Sequence, residues 1–161
     1  ETEDAAAQAA AAAQAEADAR AEADARAKAA ADQAALDAQA MEAAKKEAEA
    51  ALLSQTVVYF DFDQSTIKNE SKTALTAHAA FLAANASARV VLQGHADERG
   101  TVEYNLALGE RRGESVRRFL LANGAATGQI EVVSYGEERP AVTGHDEGSW
   151  AKNRRVEIKY Q

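Results

Sequence analysis

From Ala5 to Ala51 the chain is dominated by alanine, punctuated by Glu, Asp, Gln, Arg and Lys, with no glycine or proline to interrupt it. The hexapeptide AEADAR occurs twice in succession, at Ala15–Arg20 and Ala21–Arg26. Alanine has the highest helix propensity. The charges fall at the i,i+4 spacing that supports a helix: Glu16 with Arg20, Glu22 with Arg26, Asp24 with Lys28, and Glu42 with Lys46. The pattern predicts one helix of roughly 45 residues, on the order of 70 Å long. Only Leu36, Met41, Leu52 and Leu53 exceed alanine in apolar bulk, too few for a sustained leucine-type seam. Pattern alone leaves open a solvated spacer, an alanine-rich coiled coil, or disorder.

The pattern changes at Ser54. TVVYFDFD (Thr56–Asp63) is β-branched and aromatic and then acidic, a strand running into a loop. In IKNESKTALTAHAAFLAAN the positions Leu75, His78, Ala79 and Leu82 repeat at i, i+3, i+4, i+7, the mark of a helix with one buried face. ARVVLQGH gives a second strand, which Gly94 is expected to end by letting the chain turn out of the sheet. A second helix is expected from about Glu103 to Ala122, with an apolar stripe of Leu108, Val116, Phe119 and Leu120 and a left-handed stop at Asn123-Gly124. QIEVVSYG reads as a third strand, and RRVEIKY as a fourth, with Val156, Ile158 and Tyr160 alternating with charges. The predicted order is β-α-β-α-β-β, one sheet covered on a face by two helices, an α/β sandwich. The domain boundaries follow: a helical spacer over 1–54 and a folded domain over 55–161.

Composition narrows the function classes. The chain has no cysteine, which excludes thiolate catalysis, disulfides and cysteine-bound metals within it. Residues 1–54 hold 12 acids and 5 bases, and residues 55–161 hold 14 acids and 13 bases, so the net charge of −8 belongs mainly to the first segment. Nothing in that balance favours nucleic acid as a partner. No stretch of about 18 strongly apolar residues predicts a membrane-spanning helix. No signal peptide precedes Glu1, and the sequence reads as starting where a mature or trimmed protein starts.

Two features carry candidate chemistry. GHADERGTVEYN (Gly94–Asn105) packs His, Asp, Glu and Arg behind a strand. Arg112 lies four residues after Leu108 and four before Val116, so a guanidinium sits on the core-facing stripe. Buried charge is costly unless compensated, so Arg112 either snorkels, forms a structural ion pair, or joins Asp97 at the rim of one cleft. In the last case an acid and a planar fork held apart form a clamp for a zwitterion. A metal would use His95 and Asp97, which alternate and so point the same way, but neither His78 nor His145 adds ligand spacing. Asp61 and Asp63 are the best acid–base candidates. No nucleophile elbow, Ser/His/Asp order or phosphate loop accompanies them. Acids before a helix also commonly satisfy backbone donors.

YFDFDQSTI, GHADERGT-EYN, N-x-x-L-G-x-x-R-G-x-x-V-x-x-x-L (Asn105–Leu120), SYGEERPA and HDEGSWAKNRRVEI follow in order. Taken together, Val57 to Tyr160 resembles the OmpA-like peptidoglycan-binding domain family, and within it the peptidoglycan-associated lipoprotein branch. The resemblance implies a mixed four-stranded sheet and non-covalent, non-enzymatic binding of the meso-diaminopimelate stem peptide of peptidoglycan. It implies that Asp97 and Arg112 hold the ligand, with Phe60, Asp61, Asn105 and Leu108 in the pocket and Arg154 near its wall. It also implies that Glu98, Arg99, Thr101, Glu103 and Tyr104 meet a TolB-like periplasmic propeller protein of the Tol system, with Glu98 and Arg99 bracing the loop. A periplasmic place at the outer membrane would follow, held by a lipid anchor whose cysteine this sequence does not contain. No cofactor is implied. Two readings stand beside this one: an envelope protein that oligomerises through the alanine-rich helix, and a cell-wall amidase or peptidase.

Overall fold

The computed structural model describes residues 2–161, which divide into two compact units, one up to Glu47 and one from Ala48 onward. Helix α1 runs unbroken over Thr2–Leu53 and buries none of its side chains. It is therefore held by backbone hydrogen bonds and alanine's propensity, helped by exposed pairs worth a few tenths of a kcal/mol each. Glu22 pairs with Arg26 at 3.8 Å. Lys28 takes Asp32 at 3.1 Å, four residues ahead, in place of Asp24 four behind. Two glutamines extend the series, Gln14 to Asp18 at 2.8 Å and Gln33 to Asp37 at 2.9 Å.

The second unit comprises β1 (Val57–Tyr59), α2 (Asn69–Ala84), β2 (Val90–His95), α3 (Val102–Ala122), β3 (Ile130–Gly136), α4 (Glu147–Asn153) and β4 (Arg155–Tyr160), with a 3₁₀ turn over Thr127–Gln129. The sheet order is β1-β4-β2-β3. Strands β2 and β3 are parallel and joined by α3, while β4 runs antiparallel to both of its neighbours. Alternation along β4 sends Val156 and Ile158 to the core; Arg155, Glu157 and Lys159 take the opposite face. Helix α2 adds Leu75, Ala79 and Leu82 to that core, and α3 adds Val116 and Leu120, with Phe119 packed at its edge. His78, on the same face of α2, is buried too. Its Nε2 donates to Gln55 O at 2.8 Å, which leaves Nδ1 to accept from the Tyr160 hydroxyl at 2.6 Å.

Helix α3 starts and stops on local chemistry. Thr101 caps it, its hydroxyl accepting from Tyr104 N at 3.1 Å. At the other end Gly124 has φ 114°. Gly124 N bonds Leu121 O and Ala125 N bonds Leu120 O, a paired closure of the last carbonyls. Gly94 does not turn the chain out of the sheet as expected. It pairs with Ser134 and Val156, and β2 continues to His95 with an irregularity between the two residues. Its missing side chain serves another purpose: a Cβ there would overlap the backbone carbonyl of Gly109 in α3. Gly94 and Gly109 thus let helix and strand meet backbone to backbone, which fixes α3 against the end of β2.

Helix α4 is absent from the predicted order. At seven residues containing Gly148 it is too short for a periodic pattern, yet its cap is legible: Asp146 accepts from Ser149 N at 2.8 Å. Strand β1 is shorter than Thr56–Asp63 suggests, because after Tyr59 the chain has only Phe60 N to Arg154 O as a further rung.

Candidate functional site

Seating α3 on β2 carries Arg112 beneath the loop that follows β2. The arginine is fully buried, neither snorkelling nor paired directly with a carboxylate. Its Nε donates to Gln64 O at 2.8 Å, Nη1 to His95 O at 2.9 Å, and Nη2 to Asp61 O at 3.0 Å. One guanidinium thereby ties the loop after β1 to the end of β2, and lies 5.5 Å over the Phe60 ring. Burial pushes its pKa down to about 10, with the Asp97 carboxylate opposing the shift, so the group stays charged at neutral pH.

Asp97 is 4% exposed. Its carboxylate receives Arg99 N at 3.0 Å, Arg99 Nε at 3.3 Å and Arg99 Nη2 at 2.9 Å. Arg154 Nη1 lies behind it at 3.6 Å, while Arg154 Nε donates to Phe60 O and Nη2 to Glu147 at 2.8 Å. The backbone carbonyl of Asp97 accepts from Asn105 Nδ2 at 3.1 Å. Arg99 is stacked between two aromatic rings, 3.9 Å from the centre of Phe62 and 4.2 Å from that of Trp150.

A cavity of about 190 Å³ opens here, lined by Phe62, Asp63, Asp97, Arg99, Gly100, Tyr104, Asn105 and Leu108. Of the residues expected in the pocket, Asp97, Asn105 and Leu108 therefore line it. Arg112 lies beneath rather than on the wall, and Arg154 stands behind Asp97. Phe60 is in the hydrophobic core, since alternation from Val58 turns it inward. Asp61 points out to Lys68 at 3.1 Å. Their places on the cavity are taken by the next two residues, Phe62 and Asp63. Asp63 holds a left-handed φ of 52°, rare for a residue with a side chain, and its carboxylate accepts from the Tyr104 hydroxyl. That bond raises the Tyr104 pKa. Asp61 and Asp63 thus have separate partners and do not face one another as an acid–base pair.

Around the rim, Glu98 turns away from the cavity, accepting from Trp150 Nε1 at 3.0 Å and meeting His145 Nδ1 at 2.6 Å. The pair raises His145 and lowers Glu98. Thr101 is engaged as the cap of α3, and Glu103 stands exposed in its first turn. His95 and Asp97 do not converge. His95 is 1% exposed, with Nε2 at 3.4 Å from Glu157 and its ring against Tyr135. Strand β2 ends at His95, so its alternation does not carry on to Asp97. Among the described residues no three His, Asp or Glu side chains are grouped to hold a metal ion.

Comparison with known proteins places this geometry. The sequence model of the OmpA family matches residues 59–154. The peptidoglycan-associated lipoprotein of Pseudomonas aeruginosa is 57% identical over 111 residues, 69% of this chain and 66% of that protein, a little under two thirds of its length. The protein of the same name from Pasteurella multocida is 53% identical over 103 residues, 64% of this chain and 69% of its own. Among solved structures, the peptidoglycan-associated lipoprotein from Burkholderia pseudomallei superposes with a TM-score of 0.68 at 46% identity, covering 68% of this chain and 93% of that one. The C-terminal domain of Helicobacter pylori MotB shares the fold, with a TM-score of 0.60 at 20% identity, over 65% of this chain and 83% of its own.

Proposed function

This chain belongs to the OmpA family, and from that premise we propose that it binds peptidoglycan non-covalently, through a domain over 55–161 carried on a helical spacer over 1–54. The observation that carries the proposal is the nearly buried Asp97 carboxylate on the wall of a 190 Å³ cavity, in a chain whose relatives are named for association with peptidoglycan. A carboxylate held in low dielectric by two arginines is a strong acceptor for an ammonium group. Meso-diaminopimelate ends in a carbon bearing both an ammonium and a carboxylate. Asp97 suits the ammonium, and Arg112 retains two N–H groups beyond its three backbone bonds.

In cellular terms the proposal is a tether between outer membrane and cell wall, anchored by a lipid as the relatives' name has it. The rim residues Glu98–Tyr104 would meet a periplasmic propeller protein of the Tol system. Wall and propeller would then compete for one surface, and simultaneous binding of both in a pull-down would sink that part. The central test is co-pelleting with purified peptidoglycan sacculi. The parent chain is expected in the pellet with the muropeptides intact, and Asp97→Asn in the supernatant. Release of cleaved muropeptides, or an Asp97→Asn variant that pellets like the parent, overturns the proposal.

A further inference from the structure

We infer that Arg99 is the specificity-determining residue of this cavity, because it already holds the carboxylate that a ligand's ammonium needs. The inference rests on the function proposed above and names the group that selects among ligands there. Arg99 places its backbone N, Nε and Nη2 on the two oxygens of Asp97, at 3.0, 3.3 and 2.9 Å. Its plane is clamped between Phe62 and Trp150 at 3.9 and 4.2 Å, and it lines the cavity itself. An incoming ammonium therefore meets an Asp97 whose acceptor sites are occupied by a guanidinium.

Binding is then an exchange of ion pairs. A simple ammonium, such as the end of a lysine side chain, replaces the Arg99–Asp97 pair with one new pair and leaves Arg99 short of an anion. The nearest remaining carboxylate is Glu147, 3.7 Å from Arg99 Nη2 and already held by Arg154 at 2.8 Å. A zwitterion that carries a carboxylate beside its ammonium returns an anion to Arg99. One pair is lost and two are formed. The flat stack between Phe62 and Trp150 lets the guanidinium keep its orientation while its edge passes from Asp97 to the ligand, which a flexible lysine could not do. Arg112 gives up no carboxylate when a ligand enters, because its Nε, Nη1 and Nη2 each bond a backbone carbonyl beneath the cavity. Any pairing by its two remaining N–H groups therefore adds to the exchange at Arg99 and does not replace it.

The test is calorimetric titration of the whole chain with two soluble stem peptides, one containing meso-diaminopimelate and one containing lysine at the same place. The parent is expected to prefer the first by about 100-fold, roughly two factors of ten in affinity. Arg99→Gln is expected to bind the lysine peptide at least as well as the parent does and the diaminopimelate peptide at least tenfold less tightly, so that the preference narrows at least tenfold. Arg99→Lys, which keeps the charge but loses the planar fork and the stack, is expected to narrow it too. Thermal melts show which variant is folded, and either folded variant decides. If the parent discriminates and a folded variant discriminates equally, Arg99 is not the selector and the inference is overturned. A parent that binds neither peptide overturns the proposed function, and a parent that binds both alike leaves no selectivity for Arg99 to confer and overturns the inference alone.

Discussion

Arg112 bonds three backbone carbonyls of two separate segments, so replacing it tests what a buried arginine contributes when its partners are uncharged. In Arg112→Lys the ammonium is a point donor on a shorter reach and can keep one of the three bonds, which run at 2.8 to 3.0 Å. A hydrogen bond to a charged group is worth about 1.5–3 kcal/mol, so losing two costs about 3–6 kcal/mol. Gln64 and Asp61 are exposed residues, and water can reach their freed carbonyls, which favours the lower end, about 3 kcal/mol. Against a domain stability of about 5–15 kcal/mol the variant should still fold. Urea titration followed by Trp150, the only tryptophan, is the assay. With a slope of about 1–3 kcal/mol/M the midpoint should fall by about 1–3 M. A loss below about 1 kcal/mol at unchanged slope would refute the bracing role. Peptidoglycan binding should fall as well, because the loop carrying Asp97 follows directly on His95, one of the three bonded carbonyls.

His95 gives a pH dependence: burial, then Arg155, pushes its pKa from 6.5 to about 4 despite Glu157. The unfolded chain takes the proton first, so this contribution is fully present above pH 6.5 and is lost as pH falls toward 4. At 1.36 kcal/mol per pKa unit the loss is about 3 kcal/mol. Urea midpoints should therefore fall less steeply with acid in His95→Phe than in the parent, and parallel slopes would refute it. A Cβ on Gly109 would overlap Ser134 Oγ and lie 2.9 Å from Gly94 O. Gly109→Ala should cost about 1–3 kcal/mol, with Ser134→Ala recovering part of it in the double variant; additive losses in the melts would show that the two residues do not collide. Asp97→Asn should lose sacculus binding while circular dichroism stays unchanged, and a melted spectrum would mean that Asp97 is needed for folding rather than for ligand.

Where one residue's surroundings lie close in sequence, the chain is legible. The stripe of α2, the stop of α3, and the alternation in β4 are each set by neighbours within a few positions, and the structure repeats them. Arg112 was legible as an anomaly, since a charge on a core stripe must be compensated, but its partners were not: Gln64, His95 and Asp61 come from remote segments. The shift from Phe60 and Asp61 to Phe62 and Asp63 on the cavity wall has a similar cause. Where a strand gives way to loop depends on where its partner stops, and β4 begins only at Arg155. Trp150 and Glu147 gave no periodic signal, because a helix of about two turns is too short to show one. The cap at Asp146 was the signal available.

The sheet order also dictates when the domain can assemble. Its first strand sits opposite its last, Val57 facing Glu157 a hundred residues later, and the last strand is the one that joins β1 to β2. A chain made or exported from its N-terminus would carry β1 without a partner until nearly every residue had emerged. Only the βαβ segment from Val90 to Gly136 has its strand pairing complete within contiguous sequence. Closing the remaining loop is entropically costly before any contact rewards it. Folding should therefore be a late, near-terminal event, with β2, α3 and β3 as the earliest organised piece. A nascent chain halted before Arg155 should stay protease-sensitive around β1, with its pocket-forming loop unanchored.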